Sequence, residues 1–342
     1  MDPTSGITLK AIAERLGVST TTVSRSLSGQ AQRYRIGKQM EAKVRALAEE
    51  MGFSPNRFAR GLRLKKTSTI GLIVPDISNP FFGVAARQIS IGIGKHGYSM
   101  LLCDSQGDVA LEQQALEVLR NWQVEGIIVC PVGQAYEHLA AVARAGVPLV
   151  LVDRFFPELR VPYVGADNAT GAREATEYLI GQGHRRIACL QGLRGTMPNE
   201  ERLRGYREAL AQHKIRFDEA LVVGDGFTEE SGYRATGRLL RELPDVTALL
   251  AFCNPGAMGA IRALTDADRK IPEEMSLVSF DETAYAAHLA APLTTVAQPN
   301  AEMGDVAIRL LFDQLQSPGA EPPQGILLPT RLVVRRSVTN RA

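Results

Sequence analysis

Beyond Thr67 the chain repeats one pattern, a short apolar run followed by a segment long enough for an amphipathic helix. The runs fall at 69–74, 98–103, 126–130, 149–152, 187–190, 221–223, 249–252 and 277–280. Strands alternating with helices predict βα units and a parallel sheet. So many units without a fixed repeat period fit two doubly wound lobes better than one sheet, with a ligand at the carboxyl ends of the strands. With 342 residues and 45% hydrophobic content, the chain can build two or three such cores.

One phosphate-loop look-alike is set aside on context. Gly92-Ile-Gly94-Lys-His-Gly97 matches G-x-G-x-x-G, but it ends a predicted helix and precedes the run at Tyr98. A dinucleotide loop must instead follow a strand and open a helix. A helix-terminating turn is expected here.

The N-terminal part has a different period. Leu9, Ile12, Ala13 and Leu16 recur at helical spacing behind Thr8, a candidate N-cap. Gly17, Val18 and Ser19 predict a tight turn, and 20–27 a second short helix with Val23 and Leu27 inward. Two short helices around a glycine-containing turn predict a helix-turn-helix. A third helix is expected over about 38–51, ending at Gly52. Thr20, Thr21, Thr22, Ser24 and Arg25 crowd the second helix with short polar groups and one guanidinium, which suits base edges and phosphates in a DNA major groove. The competing reading of the Thr/Ser cluster, above all Thr22, is helix capping.

Charge separates the two regions. Net charge is +2, yet residues 1–66 hold thirteen Lys and Arg against five Asp and Glu, leaving 26 basic and 32 acidic residues for the remainder. A basic head on an acidic body predicts a polyanionic partner at one end. The sequence shows no signal-peptide pattern and no apolar run near the length of a membrane span, so a cytoplasmic protein without membrane contact is expected. Cys103, Cys130, Cys189 and Cys253 match no zinc or disulfide spacing, and His96, His138, His184, His213 and His288 are scattered. No nucleophile–base pair, metal set or phosphate loop stands at diagnostic spacing, so neither enzyme activity nor a cofactor is expected.

The stretch 8–27, with Phe53-Ser-Pro-Asn56 and Ala59-Arg-Gly-Leu62, resembles the lactose repressor (LacI/GalR) family of bacterial regulators. Further matching stretches run through essentially the whole chain: Ile70 to Phe82, Val152-Asp-Arg154, Glu201 to Tyr206, Ser231-Gly-Tyr233, Phe280-Asp281 and Thr294 to Gln298. The resemblance implies an N-terminal all-α helix-turn-helix head (1–54), a hinge linker (55–67) and an α/β periplasmic-binding-protein-like body (68–342). The body would consist of two doubly wound parallel-sheet lobes, the first about 68–167 and 298–325, the second about 168–297 and 326–336. It also implies a DNA-binding transcriptional regulator, a repressor by preference, controlled by a sugar-like effector and acting as a homodimer on a pseudo-palindromic operator. No heptad pattern follows Ser337, so no coiled-coil tetramer is expected. A soluble sugar-binding receptor is the alternative, and it would share the body but need a signal peptide and lack the basic head.

Residue by residue, the resemblance implies DNA contacts from Thr8, Ser19, Thr20, Thr21, Thr22, Ser24 and Arg25. The loop Arg33-Tyr34-Arg35 resembles that of the fructose-repressor branch and adds two cations and an aromatic. From the linker it implies Asn56, Arg57, Ala59, Arg60, Leu62 and Arg63, with Leu62 inserted into the minor groove as an apolar wedge. For the effector it implies Phe81, Phe82, Asp153, Arg154, Arg202, Phe227, Asn254, Asp281 and Gln298. Carboxylates would accept from hydroxyls, Arg202 would donate a planar fork, and Phe227 would stack. For Phe81 and Phe82 plain core packing is an equal alternative. Two positions depart from the family pattern: Gly37 replaces a common Ser cap, and Pro255 replaces an Asp beside Asn254.

Overall fold

The computed structural model describes residues 7–53, 67–317 and 325–341. The chain divides into two compact units, residues 1–67 and 68–342.

The first unit holds α1 (Leu9–Leu16), α2 (Thr20–Leu27) and α3 (Lys38–Glu50). Thr8 Oγ1 accepts from the Ala11 amide, closing the start of α1, and Gly17 ends it in the left-handed region at φ 63°. Gly37 starts α3 with no side-chain cap. The helices bury Ile12, Ala13, Val23, Val44 and Ala48, with Leu16, Leu27 and Leu47 packed around them.

The second unit contains two six-stranded sheets. In chain order its elements are β1 (Thr69–Val74), α4 (Pro80–Lys95), β2 (Ser99–Asp104), α5 (Val109–Asn121), β3 (Gly126–Val129), α6 (Glu137–Arg144), β4 (Leu149–Val152) and β5 (Tyr163–Ala166). The chain then continues as α7 (Asn168–Gly181), β6 (Ile187–Leu190), α8 (Met197–Gln212), β7 (Val222–Val223), α9 (Glu229–Glu242), β8 (Ala248–Ala251), α10 (Asn254–Asp266) and β9 (Ser276–Phe280). It closes with β10 (Thr294–Ala297), α11 (Asn300–Gln316), β11 (Ile326–Leu328) and β12 (Arg331–Val333). The sheet orders are β11-β5-β4-β3-β1-β2 and β12-β10-β9-β8-β6-β7. Every pairing is parallel except β10 with β12.

Both sheets are covered on both faces, which explains why their central strands read as unbroken apolar runs. In the first lobe Ile70, Leu72 and Val74 pack with Ile89 of α4 and Leu311 of α11, while Ile73 faces the other way onto Leu116 and Leu119 of α5. In the second lobe Cys189 and Leu250 meet α7 and α8 through Leu179 and Tyr206, and Leu190 and Leu249 meet α9 and α10 through Leu239 and Leu264.

The glycine-rich stretch at 92–97 ends α4 and precedes β2, as its context required. Gly92 is small for packing reasons: a Cβ there would come within 2.2 Å of Ile308 Cδ1 on α11. β5, β10, β11 and β12 were not anticipated, each being only three or four residues long, with Gly165 interrupting β5 and Thr294-Thr295 opening β10. Because β11 pairs with β5, the last crossover between lobes lies between Leu328 and Arg331. The boundary expected at 325/326 therefore moves by three residues, since Ile326–Leu328 complete the first sheet.

Candidate functional site

A cavity of about 440 Å³ lies in the second unit, lined from both lobes. Its first-lobe wall comes from the segments after β1, β2, β3 and β4, and its second-lobe wall from those after β6, β7, β8 and β9, with Gln298 after β10 beside them, all at carboxyl ends of strands. Eight of the nine expected effector residues line it: Phe81, Phe82, Asp153, Arg154, Arg202, Phe227, Asp281 and Gln298.

Asp153 and Asp281 occupy equivalent places in the two lobes. Each directly follows a central strand, β4 or β9, each is only 5% exposed, and each sits at positive φ, 69° and 73°. Their partners differ. Asp281 Oδ1 accepts from Gln298 Nε2 at 2.6 Å, and Oδ2 accepts from the Asn254 amide at 3.0 Å, capping α10. Among the described residues the Asp153 carboxylate has only Arg154 Nε, 3.7 Å away. Burial pushes the Asp153 carboxyl above the ordinary carboxylate range, and Arg154 and Arg202 pull it back only partly. No hydrogen bond from another described residue reaches its carboxylate oxygens, which are suited to accept from ligand hydroxyls.

The two guanidiniums are partly committed to the protein. Arg154 Nη1 donates to the carbonyls of Pro131 (3.2 Å) and Val132 (2.6 Å), and its Cζ lies 5.0 Å from the Phe227 ring centre. Arg202, on α8, donates from Nε to Asn168 Oδ1 at 2.7 Å and from Nη1 to the Phe252 carbonyl, and stacks 4.0 Å over Phe280. Burial lowers both groups from the usual guanidinium range, opposed chiefly by Asp153 at Arg154 and by Asp281 at Arg202.

Phe81 and Phe82 are packed as the core alternative expects and also stand at the cavity. They meet edge to face at 4.9 Å within the first-lobe core. Asn254 is not among its lining residues, and its Oδ1 accepts from the Tyr285 hydroxyl. Asp76, Asn79, Asp104, Gln106 and Thr228 line the cavity without having been anticipated. The strand-end rule that picked Asp153 would have found Asp76 and Asp104, which follow or end β1 and β2. Cys253 also lines the wall, with its thiol pushed up to about 12 by burial. No group of three or more His, Cys, Asp or Glu among the described residues is placed to hold a metal ion.

In the head, Ser19 caps α2: its Oγ accepts from the Thr22 amide at 3.1 Å and lies 2.9 Å from Thr22 Oγ1. The capping reading therefore holds for Ser19, with Thr22 tied to it. Thr8, Thr20 and Thr21 are exposed, while Ser24 and Arg25 are half-buried. Arg33, Tyr34 and Arg35 are exposed on the loop before α3, and the Arg25 guanidinium lies 3.6 Å above the Tyr34 ring centre. Asn56, Arg57, Ala59, Arg60, Leu62 and Arg63 lie outside the described residues.

A helix-turn-helix whose second helix exposes hydroxyls, joined in one chain to a two-sheet body around an aromatic and charged cavity, defines a DNA-binding regulator with a ligand-binding body. Comparison with known proteins gives the family. The model of the bacterial regulatory proteins, lacI family, matches residues 8–56, and that of the periplasmic binding protein-like domain matches 176–338. The chain is 35% identical over 336 residues to the HTH-type transcriptional regulator DegA of Bacillus subtilis (strain 168), covering 97% of this chain and 98% of that one. Among solved structures, a transcriptional regulator CelR–cellobiose complex matches with a TM-score of 0.74 at 32% identity, over 97% of this chain and 99% of that one. The lac repressor dimer bound to operator and the anti-inducer ONPF matches with a TM-score of 0.85 at 26% identity, over 98% of this chain and 100% of that one. The chain belongs to the LacI family of DNA-binding transcriptional regulators. None of its described helices is long and apolar enough to cross a membrane.

Proposed function

We propose that this regulator works in the cytoplasm as a homodimer on a pseudo-palindromic operator, and that an uncharged, polyhydroxylated ring, a sugar or sugar derivative, alters its operator affinity. The observation that carries the ligand class is the charge of the cavity wall. Four carboxylates, Asp76, Asp104, Asp153 and Asp281, face two guanidiniums, Arg154 and Arg202, each already donating to protein acceptors. A phosphorylated or acidic sugar would add negative charge to a wall with an excess of it, whereas hydroxyls supply the donors that Asp153 lacks. The cellobiose complex of CelR and the names of the ribose operon repressors among its relatives support a sugar.

Because the wall draws on both lobes, a ligand touching Asp153 and Asp281 favours the closed arrangement, and ligand and operator then influence each other reciprocally. On the DNA side, Thr20, Thr21, Ser24 and Arg25 read or hold the half-site. The resemblance assigns the linker residues Asn56, Arg57, Ala59, Arg60 and Arg63 to DNA contact and Leu62 to the minor groove, and the charge of the arginines suits them to phosphates.

The test is a panel of neutral sugars, sugar phosphates and sugar acids. Each is scored by the thermal shift of the protein and by fluorescence anisotropy of a labelled operator selected from random duplexes. Neutral sugars alone are expected to raise the melting temperature and change operator affinity. A response confined to phosphorylated or acidic sugars would overturn the ligand class.

A further inference from the structure

Arg25 stands in the last turn of α2, and its guanidinium stacks on the ring of Tyr34 at 3.6 Å from Cζ to the ring centre. Tyr34 lies nine residues further on, in a loop whose backbone fixes it. The Gln30 amide donates to the Arg25 carbonyl at 3.0 Å, the Tyr34 amide to the Gln30 carbonyl at 3.3 Å and the Ile36 amide to the Ala31 carbonyl at 2.8 Å. Ala31 is 1% exposed and anchors the turn, and Arg35 continues it at φ 56°. Tyr34 is nevertheless 41% exposed, so its ring is not there to fill the core.

Stacking engages only the face of a guanidinium. The N–H donors lie in its plane and point outward from the edge, so a stacked arginine keeps the fork that a bidentate hydrogen bond needs. No hydrogen bond or ion pair with another described residue occupies the side-chain donors of Arg25. Arg33 lies 5.9 Å from the same ring centre, at the limit of such an interaction, and is not held in this way.

We propose that Tyr34 is a specificity-determining positioning residue, whose ring holds the Arg25 guanidinium in the orientation that reads one base pair of each operator half-site. An unsupported arginine must give up several rotatable bonds of freedom to make a two-point contact, and any misalignment weakens the correct base more than the wrong one. The stack removes that freedom before DNA arrives. The proposal rests on the assignment of Arg25 to base reading, and the experiment separates the two.

The operator is first defined with the full-length protein by selection from random duplexes. Competition anisotropy then measures the affinity for that operator and for every single base-pair substitution in a half-site. Arg25→Ala is expected to lose roughly tenfold or more of the discrimination at one position. Tyr34→Ala and Tyr34→Leu should each lower discrimination at that same position about two- to fivefold, and Tyr34→Phe should preserve it. Tyr34→Leu keeps an apolar side chain in the loop but removes the π face, so it reports on stacking even where the alanine variant folds less well. The salt slope of binding should stay unchanged in all three Tyr34 variants, because no charge is removed. If Arg25→Ala loses a position that Tyr34→Leu still reads in full, or if Tyr34→Leu weakens every sequence equally, Tyr34 has no positioning role. If Arg25→Ala alters no position, the base-reading assignment itself falls and the proposal falls with it.

Discussion

Gln298 donates from Nε2 to Asp281 Oδ1 at 2.6 Å, tying the segment between β10 and α11 to the carboxylate that ends β9. β10 belongs to the second-lobe sheet and α11 packs on the first, so this hydrogen bond sits beside a crossover between lobes and in the cavity wall at once. A chain passing between lobes at such a point is where lobe closure must be absorbed.

The first prediction is a double-mutant cycle on this pair. Gln298→Ala removes one donor to a charged acceptor, an interaction worth about 1.5–3 kcal/mol. Asp281→Ala removes the same bond and also leaves the Asn254 amide at the start of α10 without its acceptor. Asp281→Ala should therefore cost more stability in urea unfolding of the ligand-free protein. Gln298→Ala should cost little once Asp281 is gone, giving a coupling of about 0.5–3 kcal/mol. Strict additivity of the two losses would show that the bond carries no energy.

A second prediction concerns pH. The Asp153 carboxyl is held above its ordinary range in the folded protein, so the unfolded chain releases that proton at lower pH. Stability linked to Asp153 is then full below the ordinary carboxylate range and is lost as pH rises through the folded value. Asp153→Asn imitates the protonated form. The ligand-free variant should melt above the wild type at neutral pH, and the gap should narrow as pH falls. Effector affinity should drop at the same time, because the amide is a weaker acceptor than the carboxylate. A variant that melts below the wild type at neutral pH would mean that Arg154 needs the charge more than burial opposes it.

The third prediction separates capping from DNA contact at Ser19. Ser19→Ala should weaken α2 by about 1 kcal/mol, seen as faster hydrogen exchange of its amides, because the Thr22 amide loses its acceptor. Ser19→Asp restores an acceptor and places negative charge at the helix N-terminus, so exchange should return to wild-type rates. DNA affinity should nonetheless fall, since a carboxylate replaces a hydroxyl near phosphates. Wild-type affinity in Ser19→Asp would place this end of α2 away from the DNA.

What could be read from residues alone follows burial and sequence distance. β1, β3, β4, β6, β8 and β9 were legible because both faces of each are buried and the apolar run is continuous. β10 and β12 were not, since Thr294-Thr295 and Arg331 break the pattern at strand ends. Asp153 and Asp281 were legible by position and by resemblance, being carboxylates where strands end. The direction of the Asn254 amide was not, because it is set by Tyr285, 31 residues away. Nor was the Arg25–Tyr34 stack, which depends on how a loop turns back on the helix before it.

A fourth prediction addresses the linker. Leu62→Ala should weaken binding to the selected operator far more than to random DNA, because an apolar wedge acts only where the duplex kinks. Lys65→Ala should lower affinity across all sequences and reduce the salt slope by about one unit. Equal losses on operator and random DNA for Leu62→Ala would remove the wedge from the mechanism.

The last prediction turns on Gly192, a residue with no polar atom in its side chain and no place among the expected contacts. A Cβ at Gly192 would come within 1.9 Å of Phe227 Cε1 and 2.3 Å of Cζ, so the ring lies directly against the backbone after β6. Phe227 is only half-buried and lines the cavity beside Arg154. Gly192→Ala can therefore be accommodated only if the ring moves toward the space a ligand would occupy. Such overpacking costs about 1–3 kcal/mol. Here that cost should appear mainly as weaker effector binding, roughly five- to hundredfold. Operator affinity without effector should be unchanged, because the α2 contacts are untouched. Combining Gly192→Ala with Phe227→Leu, which shortens the side chain, should recover part of the lost fit although stacking is gone. Calorimetric titration of the effector into both variants checks this: unchanged affinity in Gly192→Ala would show that the position of the Phe227 ring does not govern the cavity.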